Sequence, residues 1–524
     1  LALLALHHLK TGHKRAPGQT IVNVYNPDKS GSPWHVGHTV VEIITDDTPF
    51  LVDSVTAEIN NRCIGVHLAI HPVVRVRRKA GGQLADVLEF GLGGVDKDTR
   101  TESYIHLHID EQPEARLEEI RAGLLEVLGD VRLAVDDWHD MREQRETLVI
   151  EMDVLDQGLV HKMALNDVSE VRDFLRWVHD DHFTLLGYRE YAFNGSGSKA
   201  SVSVVKGSGL GVLKDPKRVA FQELRDLAQM PPEVRAFVAK PDLLVINKTD
   251  YKSRVHRPVL MDSIVVKRLD HRGRVVGQRI FVGLFTAGAY NKSARDIPLL
   301  RRKIKNTFEA AALPLSSHDG KALLNILETF PRDELFQISQ DQLLETSLGI
   351  LHLQDRQRVA MFLRKDDFER FFSCLIYLPR DRYTTDLRRK FQAVLEDGLG
   401  GTVSAHFAHL GEEALARLHL VVKTTPGKIP SFDAVKLEAH LTDMAKSWGD
   451  RLGGALIDAH GEMEGMRLLD TYQDAFGRGY EDRFNATRSE EHTSERQSPM
   501  YLVCRLLLEK KKTKKNKTKQ KKGR

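Results

Sequence analysis

The longest patterned run begins at His38 and reads HTVVEIITDDTPFLVDSVTAEINNRCIGVHLAIHPVVRVRR. Val40 to Thr45 is β-branched and almost wholly apolar, the composition of a strand. The DDTPF turn follows, after which Phe50, Leu51, Val55 and Ile59 recur at helical spacing. Ile64 to Val76 reads as a second strand, closing on Arg75, Arg77 and Arg78. Beyond a Gly-rich charged loop, Lys79 to Arg100, the run SYIHLHID alternates as a third strand. ARLEEIRAGLLEVL puts Leu117, Ile120, Leu124 and Leu125 on one helical face, and VRLAV (131–135) carries the pattern of a fourth strand. The resulting order, β-α-β-β-α-β, is that of a ferredoxin-like unit.

A helix-rich stretch containing EVRDFLRWVHDDHF comes next. From Phe183 strands dominate: TLLGYREYAF, SVSVV, DLLVINKT, MDSIVVKRLD and QRIFVGLFTAGAY, the pattern of a mostly antiparallel sheet. Residues 296–356 have helical periodicity. The segment from FFSCLIYLP through LHLVVKTT repeats strand, helix, strand, strand, and DAVKLEAHLTDMAKSW supplies a second helix, with no clear fourth strand. From about Gly449 to Phe484 helix is again predicted. The expected class is therefore α+β and multidomain, with two ferredoxin-like units flanking an antiparallel-sheet domain and helical linkers between them.

Length and composition fit that scheme, since 524 residues with 41% hydrophobic and 29% charged positions suffice for several cores. Three cysteines, Cys63, Cys374 and Cys504, form neither a disulfide framework nor a CxxC pair, which favours a reducing compartment. No apolar run approaches membrane-spanning length. The opening LALLALHHLKTGHKR has no initiator Met and no cleavage motif, and reads as a truncated helix over 1–20.

The net charge of +4 depends on the last 37 residues. Residues 488–524 hold 13 Lys and Arg against 4 Glu, which leaves 64 basic and 69 acidic residues before them. The body is thus mildly acidic, and any nucleic-acid reading rests on the tail. That tail contains RSEEHTSE and YLVCRLLLEKKK, which resemble a common short-read sequencing adapter translated in frame; Arg496 is one base change from the adapter's Leu. The Lys run then fits read-through of A-rich codons. Residues 488–524 are expected to be adapter-derived, disordered and without a ligand, so no nucleic-acid partner is assigned.

Candidate chemistry is sparse. GSGLGVLKD, with Gly207, Gly209 and Gly211, lacks the GxGxxG spacing and opens no helix, so turn chemistry is the expectation. No Walker GxxxxGK[ST], GxSxG or HExxH is present. His106 and His108 share one strand face, as a solvent-facing or partly buried pair or as metal ligands, and His179, Asp180, Asp181 and His182 cluster at a helix end, where caps compete with a metal site. No metal ligand and no catalytic residue is assigned. Arg254, His256, Arg257, Lys267 and Arg268 form either a basic ligand face or solvated edge charge. The DDTPF turn is the candidate loop: Asp46, Asp47, Thr48, Pro49 and Phe50 join a strand to a helix. Its N–H groups would hold a carboxylate, or Asp46, Asp47 and Thr48 only cap the helix with Pro49 in its first turn.

The blocks DDTPFLVDSV, TESYIHLHID, LRWVHDDHFTLLGYREY, HRPVLMDSIVVKR, RIFVGLFTAGAYN, IPLLRRKI and HDGKALLNILETFPRDELFQIS, in this order, resemble the N-terminal segment of the large bacterial NAD-specific glutamate dehydrogenases. Thr48 stands where that family's pattern has Met. The resemblance implies ACT-like domains at 21–140 and 357–447 and a PAS-like domain at 185–300. Helical segments at 141–184, 301–356 and 448–487 would connect and extend them. It implies a cytoplasmic, homo-oligomeric enzyme that oxidises L-glutamate to 2-oxoglutarate and ammonia with NAD as cofactor. The catalytic domain and the NAD site would lie outside this chain, which by itself would be inactive. Its expected partners are its own copies, the catalytic domain and an amino-acid effector bound near Asp46–Phe50, with no membrane. A free-standing ACT/PAS amino-acid sensor is the alternative.

Overall fold

The computed structural model describes residues 2–27, 37–88, 99–158, 165–194, 201–221, 232–270, 272–353, 358–411, 413–472, 476–481 and 483. The tail from 488 therefore lies outside the described residues. The chain divides into two compact units, Leu1–Leu348 and Gly349–Arg524.

The first unit starts with α1 (Ala2–Thr11), β1 (Ile21–Tyr25), β2 (Thr39–Asp46) and α2 (Leu51–Asn61). It continues through β3 (Val66–Ile70), β4 (Val73–Arg78), β5 (Leu84–Leu88), β6 (Thr99–Ile109) and α3 (Glu114–Asp136). The strands form one antiparallel sheet in the order β1-β2-β6-β4-β5, with β3 also pairing with β6. The stretch expected as a single strand over Ile64–Val76 is broken at His71–Pro72, where proline has no N–H for the ladder. Both pieces lie along β6.

VRLAV is not a fourth strand. Residues 131–135 continue α3, because Val131 and Ala134 are buried in the core that α3 shares with a second sheet. The place of the missing strand, beside β2, is taken by β1 from upstream in the sequence. Leu51, Val55 and Ile59 of α2 and Ile120, Leu124 and Leu128 of α3 pack on Val41, Ile43, Ile105, Leu107 and Ile109. The alternate side chains of β6, Glu102, Tyr104 and His106, are buried as well, on the opposite face.

After α4 (Trp138–Gly158) and α5 (Leu165–Trp177), a kinked turn over Val178–His182, with Asp181 in the left-handed region at φ 58°, leads into β7 (Phe183–Asn194). The second sheet is completed by β8 (Ser201–Val204), β9 (Leu210–Gly211), β10 (Leu244–Lys252), β11 (Leu260–Leu269) and β12 (Val275–Phe285), with α6 (Pro232–Ala239) inserted. Its order is β10-β11-β12-β7-β8 and every pairing is antiparallel. A short α7 (Ala287–Asn291) follows, and then α8 (Leu300–Ala311), α9 (His318–Thr329), α10 (Arg332–Gln337) and α11 (Gln340–Leu353) form the helical run expected over 296–356.

The second unit repeats the arrangement of the first sheet and its two helices. β13 (Ala360–Lys365), β14 (Phe371–Pro379), α12 (Thr385–Leu399), β15 (Thr402–His409), β16 (Leu415–Lys423) and α13 (Ala434–Met444) form a four-stranded sheet ordered β13-β14-β16-β15. The strand that sequence pattern did not supply is again upstream, at Ala360–Lys365. α14 (Trp448–His460), α15 (Glu462–Tyr472) and α16 (Arg478–Glu481) close the described chain. Among the described residues no helix is long and apolar enough to cross a membrane.

Candidate functional site

The Asp46–Phe50 loop leaves the end of β2 and enters α2. Phe50 is the residue flanking the helix, in the left-handed conformation with φ 71°, and no side chain caps the helix there. The capping expectation for Asp46, Asp47 and Thr48 is therefore corrected: the two carboxylates turn away from α2 and toward the sheet. Asp46 pairs with the Arg15 guanidinium, and Asp47 Oδ1 accepts from Ser103 Oγ at 2.6 Å. Pro49 precedes the helix and is exposed.

Arg15 extends this contact into the interior. It is 1% exposed and donates to Glu102 Oε1 from NH2 at 2.7 Å. Arg78 reaches the same carboxylate from the other side, Nε to Oε1 at 2.6 Å and NH2 to Oε2 at 2.7 Å. Burial opposes the charge on Glu102, but its hydrogen bonds from Arg78 and Arg15 prevail and hold its pKa below the ordinary value. Residues 11–20, set apart by sequence pattern as the end of a leading helix, thus carry a central partner of the loop.

On its other side the loop meets the second sheet domain. The Phe50 ring lies 5.1 Å from that of His256, His256 N donates to Ser54 Oγ at 2.9 Å, and His256 Nδ1 is 3.0 Å from Asp53 Oδ2. Two motifs more than 200 residues apart, DDTPF and RVHRPVL, are thereby brought into contact. The rest of the basic group is also engaged. Arg254 pairs with Glu126 at 2.6 Å, and Arg257 donates to the Phe285 carbonyl at 2.7 Å. Lys267 is buried and donates to the Phe237 and Lys240 carbonyls at the end of α6, at 3.0 and 2.6 Å. The solvated-edge expectation fails for Lys267 because β11 is an interior strand.

The remaining candidates are dispersed. Gly211 lies against β7 with φ 58°, and its N–H donates to Asp137 Oδ2, so the GSGLGV loop serves packing. His182 stacks on Trp177 at 4.3 Å and lies 2.8 Å from Lys292 Nζ, while His179 contacts Arg142; the HDDH group does not converge on one point. His106 is buried against His8 of α1, and His108 is partly buried beside His106 and His38.

Two features escaped the sequence pattern. Lys248 is held between Asp262 and Asp333, at 2.6 and 3.1 Å, with the Tyr290 hydroxyl donating to Asp333 at 2.8 Å. Burial opposes the ammonium, yet the two carboxylates outweigh it and raise the Lys248 pKa, while burial pushes Asp262 up to about 6. A cleft of about 830 Å³ is lined by Glu170, Leu244, Arg301, Arg302 and Phe336, among others. Only the basic run in IPLLRRKI hinted at it.

Four family models match this chain: Glutamate dehydrogenase, ACT1 domain, over residues 1–124; helical motif 1 over 297–356; ACT2 domain over 360–449; and helical motif 2 over 455–488. The NAD-specific glutamate dehydrogenase of Halomonas elongata is 37% identical over 467 residues, and that of Pseudomonas aeruginosa is 35% identical over 467. The chain belongs to the NAD-specific glutamate dehydrogenase family. The Mycobacterium tuberculosis member is 28% identical over 495 residues. These alignments take in 89% to 91% of the chain but only 28% of each relative. Both ferredoxin-like units of the chain coincide with matched ACT domains, and the ACT1 match includes α1 and Arg15.

Proposed function

We propose that this chain is the N-terminal regulatory and assembly segment of a cytoplasmic, homo-oligomeric NAD-dependent glutamate dehydrogenase. The complete enzyme converts L-glutamate, NAD and water to 2-oxoglutarate, ammonia and NADH, with NAD and the catalytic residues held by parts of the protein beyond this chain. The observation that carries this reading is the match to 28% of the length of the relatives, through two ACT domains and two helical motifs. Residues 185–300 are read as the PAS-like domain. The open edge strand β15, with Phe407 60% exposed, suits contact with another copy.

In this reading Asp46–Phe50 is the loop through which an amino-acid effector or a neighbouring subunit acts. Support comes from its position: it joins the Arg15–Glu102–Arg78 network to the second sheet domain, so a ligand there would bear on both. An effector shifts the enzyme only by binding two of its states unequally. Calorimetry of the chain against the twenty amino acids tests the sensing role. Binding that weakens in Asp47→Ala supports it, whereas no binding by any of the twenty leaves assembly alone. A free-standing sensor is separated by long-read sequencing of the source DNA across the codon for Ala486, since it requires a genuine stop soon after Phe484. The chain itself is expected to produce no NADH from glutamate.

A further inference from the structure

The polar face of the first sheet, beneath α1, carries a group of side chains that the regulatory reading does not use. His8 comes from α1, Glu42 from β2 and His106 from β6, where Glu42 and His106 are direct cross-strand partners. All three are buried, at 5%, 1% and 2% exposure. His8 Nε2 lies 3.1 Å from His106 Nδ1, and Glu42 Oε1 lies 3.7 Å from the first and 3.9 Å from the second. The point equidistant from those three atoms is about 2.1 Å from each, the length of a zinc bond to imidazole nitrogen or carboxylate oxygen.

The surroundings are those of a metal site. Tyr25 OH donates to Glu42 Oε1 at 2.9 Å, as an outer partner orienting a ligating carboxylate. His108 Nε2 is 3.0 Å from His106 Nε2, so it can accept the N–H that His106 carries there when Nδ1 is a ligand. The Glu42 carboxylate is buried, and its Oε2 has no hydrogen bond, only the partly exposed His7 imidazole at 3.3 Å. A buried carboxylate of this kind needs a cation.

We propose that His8, Glu42 and His106 bind one divalent transition-metal ion, with zinc as the best match to two imidazoles and a carboxylate, and that the ion ties α1 to the sheet. A water molecule would fill the open coordination position.

The test uses the full chain, stripped with a strong chelator and re-exposed to zinc chloride in competition with a chromophoric chelator. One zinc per chain is expected, with affinity reduced 10- to 100-fold or more in Glu42→Gln and His106→Gln. In His67→Gln, which alters the exposed His67–Asp110 pair nearby, binding is expected to be unchanged. X-ray absorption is expected to show nitrogen and oxygen neighbours, imidazole among them, at about 2.0 Å. Should the strand variants misfold, His8→Gln on α1 gives a second reading, since zinc is expected to raise the melting temperature of the parent chain but not of this variant. No uptake against the competitor would overturn the proposal, as would uptake that survives Glu42→Gln and His8→Gln or disappears in His67→Gln.

Discussion

Glu102 concentrates the residue-scale argument. It sits at 0% exposure on β6 with a guanidinium on either side, Arg15 from the leading segment and Arg78 from β4. A buried charge pair owes its stability to completeness, because removing one partner leaves the others desolvated and unpaired. Glu102→Gln is therefore expected to destabilise the first unit by about 3–5 kcal/mol, as read from a urea titration followed by circular dichroism. A loss below about 1 kcal/mol would show that water reaches the two arginines. From the sequence, the alternation in TESYIHLHID was legible as a strand with Ile105, Leu107 and Ile109 facing one way. That Glu102 and His106 on the other face would also be buried was not, since period-two alternation ordinarily marks a half-solvated strand. The cover comes from residues 2–20, and nothing in their composition announces Arg15 or His8 as interior side chains.

At the scale of elements, α3 gives the sharpest contrast between pattern and outcome. ARLEEIRAGLLEVL has the pattern of a helix, and VRLAV, beyond Gly129 and Asp130, that of a strand. The helix nevertheless runs through both to Asp136, because its last turns lie over the second sheet. Val131 and Ala134 enter the shared core there, and Asp130 takes Arg218 at 2.7 Å. Gly129 is thus an exposed glycine inside a helix, and a Cβ added to it meets nothing within 4 Å. Gly129→Ala should stabilise the chain by about 0.5–1 kcal/mol, the helix-propensity difference. A turn followed by a strand would show no such gain, so thermal melts of the two proteins decide between them. Tertiary contact has overridden a local β preference here. The same effect explains why the pattern assigns the first ferredoxin-like unit's fourth strand to VRLAV and finds none for the second. In both, β1 and β13 precede the pattern in sequence but sit at the sheet edge in space.

Across the molecule the titrating groups set a direction for pH dependence. His8, His106 and His108 all have pKa values lowered from 6.5, with burial the first cause in each. The folded chain therefore binds fewer protons than the unfolded one below pH 6.5. Stability is full above that value and falls as pH drops toward about 3, where His106 takes up its proton. Glu102, also lowered, adds to the loss below its unfolded value of 4.5. Asp262 opposes it: with a folded pKa of about 6 against 3.8 unfolded, it contributes most below 3.8 and loses that contribution as pH rises through 6. The histidines outnumber it, so the melting temperature is expected to decline on going from pH 7 to pH 5. Under the metal proposal that decline steepens when zinc is present, because protons then compete with the ion. A flat melting profile over this range would show that the buried imidazoles are hydrated in solution.

Local pattern determined the α+β class, most of the strands and helices and the similarity of the two ferredoxin-like units, because burial periodicity is written into neighbouring residues. It also marked Asp46–Phe50, through the break between a strand and a helix. Tertiary structure alone decided which strand closes each sheet edge, that α3 would reach the second sheet, and that Arg15 and His8 would enter the interior. Those outcomes depend on pairings between distant segments, such as Phe50 with His256 or His8 with His106, and no local periodicity encodes a partner's position.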